Sequence, residues 1–215
     1  MNLTERIAYL VSGRSRRKKH EHFLLSVMPK RQETVLDIGV NDTEYSDTDN
    51  YLEKNYAFPE NITVVSHQGL DTFSKRYPKI HAIVADGLDL PFQDNSFDIS
   101  YSNAVIEHVG KHDQQLRFLK ESFRVAQRGY FTTPNRHFPI EVHTRIPLLH
   151  LILPKRYFDM FLGIIGKSWA TGDYMNLLSY KELDELLNET DIKTFHIHKN
   201  RFMGIPITFS VIWKK

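Results

Sequence analysis

Five short apolar runs, each followed by turn-forming or polar residues and separated by stretches of helical length, constrain this 215-residue chain more than any other feature. They are residues 34–39 (TVLDIG), 62–65, 80–85, 97–102 and 130–133, the last stopped by Pro134. Between them, helical patterns are expected around Tyr51, Leu52 and Tyr56, over 70–77, and over 114–126. In the third of these, Leu116, Leu119, Phe123 and Val125 recur at helical spacing. Strands alternating with helices predict a parallel sheet with crossover helices. Beyond Pro134 the pattern changes. Residues 146–165, rich in Leu, Ile, Phe and Pro, read as helical, and 178–188 read as a helix capped by Ser179 with Glu182 three residues on. Two runs, 192–198 and 207–213, are joined through Gly204 and Pro206 by a connection short enough for an antiparallel pair. The organisation expected is one domain over 1–215, with an N-terminal helical segment at 1–33 and an insertion at 135–178.

Composition removes several classes. Hydrophobic residues make up 41% and charged residues 25%, the balance of a globular chain with a core. Cysteine is absent, so disulfides and thiolate metal sites are excluded. The net charge of +2 gives little reason to expect a polyanionic partner. No run is apolar enough to span a bilayer, and the N-terminus has its basic cluster after its apolar piece, the reverse of a secretory signal. A cytoplasmic location is the expectation.

In an open α/β sheet, ligands bind beyond the carboxyl ends of the strands. After the first run comes Asp37-Ile38-Gly39-Val40-Asn41-Asp42, where Gly39 lets the backbone turn and approach a ligand. After the third comes Asp86-Gly87-Leu88, an acid suited to an exocyclic amine beside an amide and an apolar side chain suited to a ring. Further on lie Leu90-Pro91-Phe92, Asp94, Ser96-Phe97-Asp98, Ser102, Val105 and Glu107-His108.

This last series resembles the small S-adenosylmethionine (SAM)-dependent methyltransferases of class I, whose pattern runs close to D-x-x-x-LPF-x-D-x-SFD-x-x-x-S-x-x-V-x-EH. The resemblance extends, more weakly, over residues 34–134. It implies a Rossmann-like methyltransferase fold: a seven-stranded, mostly parallel sheet with an antiparallel C-terminal hairpin and helices on both faces. It implies SAM as cofactor, with Asp37, Gly39, Val40 and Asn41 at its methionine end, Asp86, Gly87 and Leu88 at adenine, and Ser102, Asn103 and Ala104 beneath the methionine. It places His108 near the mouth of the site.

Two departures stand out. The first loop, usually G-x-G-x-G, reads Gly39-Val40-Asn41-Asp42-Thr43, so side chains of Asn41 or Thr43 would supply contacts that backbone normally makes. The second strand, which usually ends in a ribose-binding acid, is followed by Ser66-His67-Gln68, leaving the ribose to Ser66, His67, Gln68 or a returning Asp71. These departures also motivate a rival reading, a binding or structural module that kept the fold and lost activity.

A second distinctive stretch, 133–144, gathers His137, Glu141 and His143 beyond the fifth strand. A neutral imidazole can take a proton from a hydroxyl as a methyl group arrives, so His143 and His108 are the candidate bases, with Glu141 orienting. A metal site from Glu141, His143 and His150 is set aside, since methyl transfer needs no metal and the spacing fits no familiar ligand pattern. Glu107 reads as structural, bonding the first loop, and His196 and His198 as a polar strand face. The basic run Arg14 to Lys19 reads as a solvated helix face, with phosphates of a lipid or nucleic acid as the sharper alternative. Residues 146–165 read as a packed lid, with peripheral contact to a membrane surface as the sharper alternative. The acceptor expected is a small molecule or a glycan- or lipid-linked group, methylated at oxygen. Nucleic acid is disfavoured by the charge and by the order Thr133-Pro134-Asn135, which is not that of an Asn-Pro-Pro-Tyr base-amine signature.

Overall fold

The computed structural model describes residues 3–140, 144, 146–172 and 175–215. Strands β1 (Val35–Ile38), β2 (Ile62–Ser66), β3 (His81–Val84), β4 (Phe97–Asn103), β5 (Ala126–Pro134), β6 (Thr194–Phe202) and β7 (Ile205–Lys214) form a single sheet in the order β3-β2-β1-β4-β5-β7-β6. Strands β1 to β5 pair in parallel, and β7 runs antiparallel to both β5 and β6. Only β7 is therefore reversed. The four residues of β1 are all buried, as a central parallel strand covered on both faces requires.

The helices are α1 (Leu3–Val27), α2 (Tyr51–Asn55), α3 (Asp71–Arg76), α4 (His112–Val125), α5 (Leu149–Ile152), α6 (Lys155–Ile164) and α7 (Tyr180–Asn188). One face of the sheet is packed by α4 and α7, through Phe118, Leu119, Phe123, Leu183, Leu186 and Leu187. The other is packed by α1, α2 and α3, through Phe23, Val27, Leu52 and Phe73. A third cluster, Ile146, Phe158, Leu162, Ala170 and Met175, forms inside the insertion after β5. The Ser179–Glu182 capping box forms at α7 as its residues predict.

Three expectations shift. The helical reading of 146–165 breaks into α5 and α6 at Leu153-Pro154, because the residue before a proline is held in extended backbone. β5 starts at Ala126, where α4 ends, and passes through Gly129. A Cβ on Gly129 would lie 2.5 Å from the Ser100 carbonyl oxygen and 2.6 Å from Trp213 Nε1, so packing selects a residue that strand propensity disfavours. The closing hairpin turns on Met203 and Gly204 alone, both at positive φ (48° and 85°), a type I′ geometry, and Pro206 joins β7.

Candidate functional site

A cleft of about 520 Å³ opens at the carboxyl ends of β1, β2 and β4. Its floor is Asp37, Gly39, Tyr101 and Glu53; its walls carry Val40, Asn41, Ser66, His67 and Gln68 on one side and Asn103, Ala104, Val105 and His108 on the other. Gly39 holds φ 98°, extends the ladder by donating to the Val65 carbonyl at 2.8 Å, and packs so closely on Val105 that a Cβ would meet Val105 Cγ2 at 2.3 Å. Ala104 also holds a left-handed backbone (φ 59°), a strained conformation of the sort that clusters at ligand sites.

The missing glycines of the first loop are replaced by a side-chain clamp. The Asn41 amide donates to Asn50 Oδ1 at 3.1 Å, and Asn50 Nδ2 donates to the Asn41 carbonyl at 2.8 Å. Asp49 accepts from the amides of Tyr45 (2.8 Å) and Ser46 (2.9 Å) and pairs with Arg16 of α1. Asp42 accepts from the Phe73 amide at 2.8 Å, tying the loop to α3.

Two carboxyl groups meet at the floor. Burial, then the neighbouring Glu53 carboxyl, pushes Asp37 well above the usual carboxylate range, and burial likewise raises Glu53. Glu53 Oε1 is buried without a hydrogen-bond partner among the described residues. An unsatisfied buried acceptor on a cleft floor fits a ligand that brings its own donor.

Asn103 is held from behind. Its Oδ1 accepts from Lys19 Nζ at 2.7 Å and from Thr132 Oγ1 at 2.9 Å, which assigns the amide orientation and leaves Nδ2 to the cleft. Lys19 is buried, and desolvation lowers its ammonium to about 8. His108 stands on a 3-10 turn (Ile106–His108) with Nε2 4.0 Å from Oε1 of Glu107, a wholly buried acid that accepts from Thr133 Oγ1 at 3.1 Å. Glu107 is thus tied to β5, where the sequence suggests a bond to the first loop.

Of the residues singled out from sequence, Asp37, Gly39, Val40, Asn41, Ser66, His67, Asn103, Ala104 and His108 come together in this cleft. Ser102 is buried behind it, donating to the Ile38 carbonyl at 3.0 Å. Asp86, Gly87 and Leu88 follow β3 at the same sheet edge and turn back toward β1, a Cβ on Gly87 lying 3.2 Å from Ile38 Cγ2, but they do not line this cleft. Asp86 is exposed and accepts from the Leu88 amide at 2.9 Å. Asp71 is exposed and outside the cleft lining. Glu141 and His143 fall outside the described residues.

The solvated reading of 14–19 needs correction. Arg16 and Lys19 turn inward, to Asp49 and Asn103, because they share a helix face with His20, Phe23 and Val27, which are buried against the sheet. The Phe23–Val27 spacing is the signal that would have set this face. Glu53 carried no such signal.

The sheet order, its single reversed strand and a cleft at the carboxyl ends of its central strands define the class I methyltransferase architecture. Residues 50–132 match the family of methyltransferase domains. Solved structures agree over most of their length. A SAM-dependent methyltransferase of Methanosarcina mazei is 19% identical, with 89% of this chain and 96% of that one covered and a TM-score of 0.53. One from Thermotoga maritima, described as a possible histamine N-methyltransferase, is 14% identical (99% and 96% covered, TM-score 0.59). The magnesium protoporphyrin IX methyltransferase of Synechocystis, with S-adenosylhomocysteine bound, is 9% identical (100% and 89% covered, TM-score 0.62). At these identities the likeness to solved structures is one of fold. The matched segment is thus similar to methyltransferase domains, and the chain as a whole shares the fold of SAM-dependent methyltransferases.

The cleft suits that cofactor. Its volume lies within the range of about 300–1,000 Å³ typical of small-ligand sites. It offers two carboxyls and a carboxamide nitrogen to a ligand that carries an ammonium, hydroxyls and a carboxylate.

Proposed function

We propose that the enzyme methylates a hydroxyl oxygen of a small-molecule, glycan or lipid-linked acceptor, with His108 taking the hydroxyl proton. Bound SAM supplies a methyl group already activated by its sulfonium, so the chain's contribution is mainly positioning and proton removal. The observation that carries the reading is an imidazole on the cleft wall with a fully buried carboxyl 4.0 Å behind it. Nε2 of His108 would accept the proton, and Glu107 would favour the imidazolium that results.

Asp37 and Glu53 are proposed to receive the cofactor's ammonium or ribose hydroxyls, and Asn103 Nδ2 to donate to its carboxylate. Asp86, with one oxygen held by Leu88, would present the other to the adenine amine. Ser66, His67 and Gln68 would edge the ribose. The insertion at 135–178 would act as the lid that shapes acceptor entry and excludes water. A second cavity of about 430 Å³, between α4 and this insertion, is lined among others by Gln115, Arg136, His150, Phe158 and Met175.

The test is His108→Ala, assayed by mass spectrometry against free monosaccharides, nucleotide sugars and polyprenyl-phosphate-linked sugars. Turnover should fall about 10²–10⁴-fold with SAM affinity unchanged. Wild-type turnover would remove His108 as base, and the same assay on His143→Ala tests the other histidine. A product carrying a methylated amine would overturn oxygen as the acceptor atom.

A further inference from the structure

Helix α1 works on two sides. Arg16, Lys19, His20 and Phe23 face the cleft and core, whereas Arg14, Lys18 and His22, spaced four apart, form a stripe facing the β6–β7 hairpin. Between that stripe and His198, Arg201 and Met203 lies a groove of about 570 Å³. Three cations line it and no carboxylate does. Among the described residues neither Arg14 nor Lys18 has an acidic partner. The inner wall is fixed: His22 stacks on His198 with ring centroids 4.2 Å apart and approaches the Tyr130 hydroxyl at 3.2 Å. Burial lowers both imidazoles, so the groove's charge near neutral pH comes from Arg14, Lys18 and Arg201.

The groove is an anion site with an apolar rim. Met203, at the tip of the hairpin, is 88% exposed, and Phe202 and Ile205 beside it are exposed as well. Thr208 pairs with Pro134 at the end of β5, so the tip stands at the same sheet edge as the cofactor cleft. The insertion after β5 adds exposed Ile152, Met160, Ile164 and Trp169 beyond that edge. A soluble phosphate would use the cations and leave the apolar tip in water. A lipid surface uses both, since cations gain from anionic headgroups and apolar side chains from the acyl boundary.

We propose that this groove and hairpin tip seat the protein on an anionic lipid bilayer, with headgroup phosphates between Arg14, Lys18 and Arg201 and Met203 entering the acyl boundary. The inference stands whatever the acceptor is, and it would bring the cofactor cleft to a lipid-linked one.

The test is co-sedimentation of the full chain with phosphatidylcholine vesicles, plain or containing about a third phosphatidylglycerol, at about 0.1 M salt, where charges still act over about 10 Å. Binding should be about tenfold or more tighter to the anionic vesicles, and the R14E/K18E double variant should lose that preference, each cation being worth about fivefold. M203S should weaken binding to the anionic vesicles. Retained SAM-induced thermal stabilisation shows that each variant is folded. Equal binding to both vesicle types, binding to neither, or indifference to R14E/K18E would overturn the proposal. So would a thermal shift with millimolar inorganic phosphate, lost in R14E/K18E, without vesicle binding; that would give the groove to a soluble phosphate.

Discussion

Two buried carboxyl groups at the cleft floor give this enzyme a pH signature. Asp37 and Glu53 are both raised, chiefly by burial, so the folded protein holds a proton there that the unfolded chain releases above about pH 4. Wherever the folded state binds more protons, stability falls as pH rises. In urea unfolding without ligand the wild type should therefore lose stability relative to Glu53→Gln as pH rises above the usual carboxylate range, a difference that cancels the opposite effect of His20, His22 and His198, whose imidazoles burial lowers. An unchanged slope in the variant would mean that the pair does not share a proton. Gly39 offers a second test at this scale. A Cβ would meet Val105 at 2.3 Å on a backbone at φ 98°, so Gly39→Ala should cost about 1–3 kcal/mol and weaken SAM binding at least severalfold, read by denaturation and calorimetry. The residues that carry the family likeness mostly serve the frame. Arg124 of α4 binds Asp94 (2.9 Å) and the carbonyls of Leu90 (3.0 Å) and Phe92 (2.7 Å), and Asp98 accepts from the Thr34 amide (2.8 Å). Leu90, Phe97 and Ile106 are core. The pattern that is easiest to recognise is thus largely the scaffold beneath the cleft, which is why it identified the fold more surely than individual ligand contacts.

Among the elements, α1 and α7 show how differently sequence exposes structure. The start of α7 is local: Ser179 Oγ accepts from the Glu182 amide at 3.3 Å, and the Glu182 carboxylate accepts from the Ser179 amide at 2.8 Å. Ser179→Ala should cost about 1 kcal/mol. For a chain of this size that is a fall of about 2–4 °C in Tm, and a thermal melt unchanged within error would show that the cap contributes nothing. The role of α1 is not local. Its basic run reads as solvated until packing of Phe23 and Val27 turns Arg16 and Lys19 toward loop and strand partners more than thirty residues away. The insertion lies between these extremes. Its apolar composition was plain, but Pro154 divides it, and its Phe158–Leu162 cluster packs within itself.

For the whole molecule, the cleft links binding to stability. SAM or S-adenosylhomocysteine at about 100 times its dissociation constant should stabilise the folded chain by about 2.7 kcal/mol, because a formed cleft binds the ligand and the unfolded chain does not. No thermal shift with either ligand at millimolar concentration would contradict the cleft described here. The residues brought together at the sheet edge come from β1, β2, β4, α1 and α2, and only the crossover topology makes them neighbours. The sequence by itself determined the strand runs, the alternation that makes the sheet parallel, the helix cap, the closing hairpin and the turns at which a ligand would sit. All of these follow from periodicity and backbone preference over a few residues. Only the tertiary structure decided that Glu53 meets Asp37, that Lys19 and Thr132 orient Asn103, and that Asn41 and Asn50 do the work of the missing glycines. A polar side chain reads as solvated until long-range packing takes its water away, and no local pattern records which distant partner replaces that water.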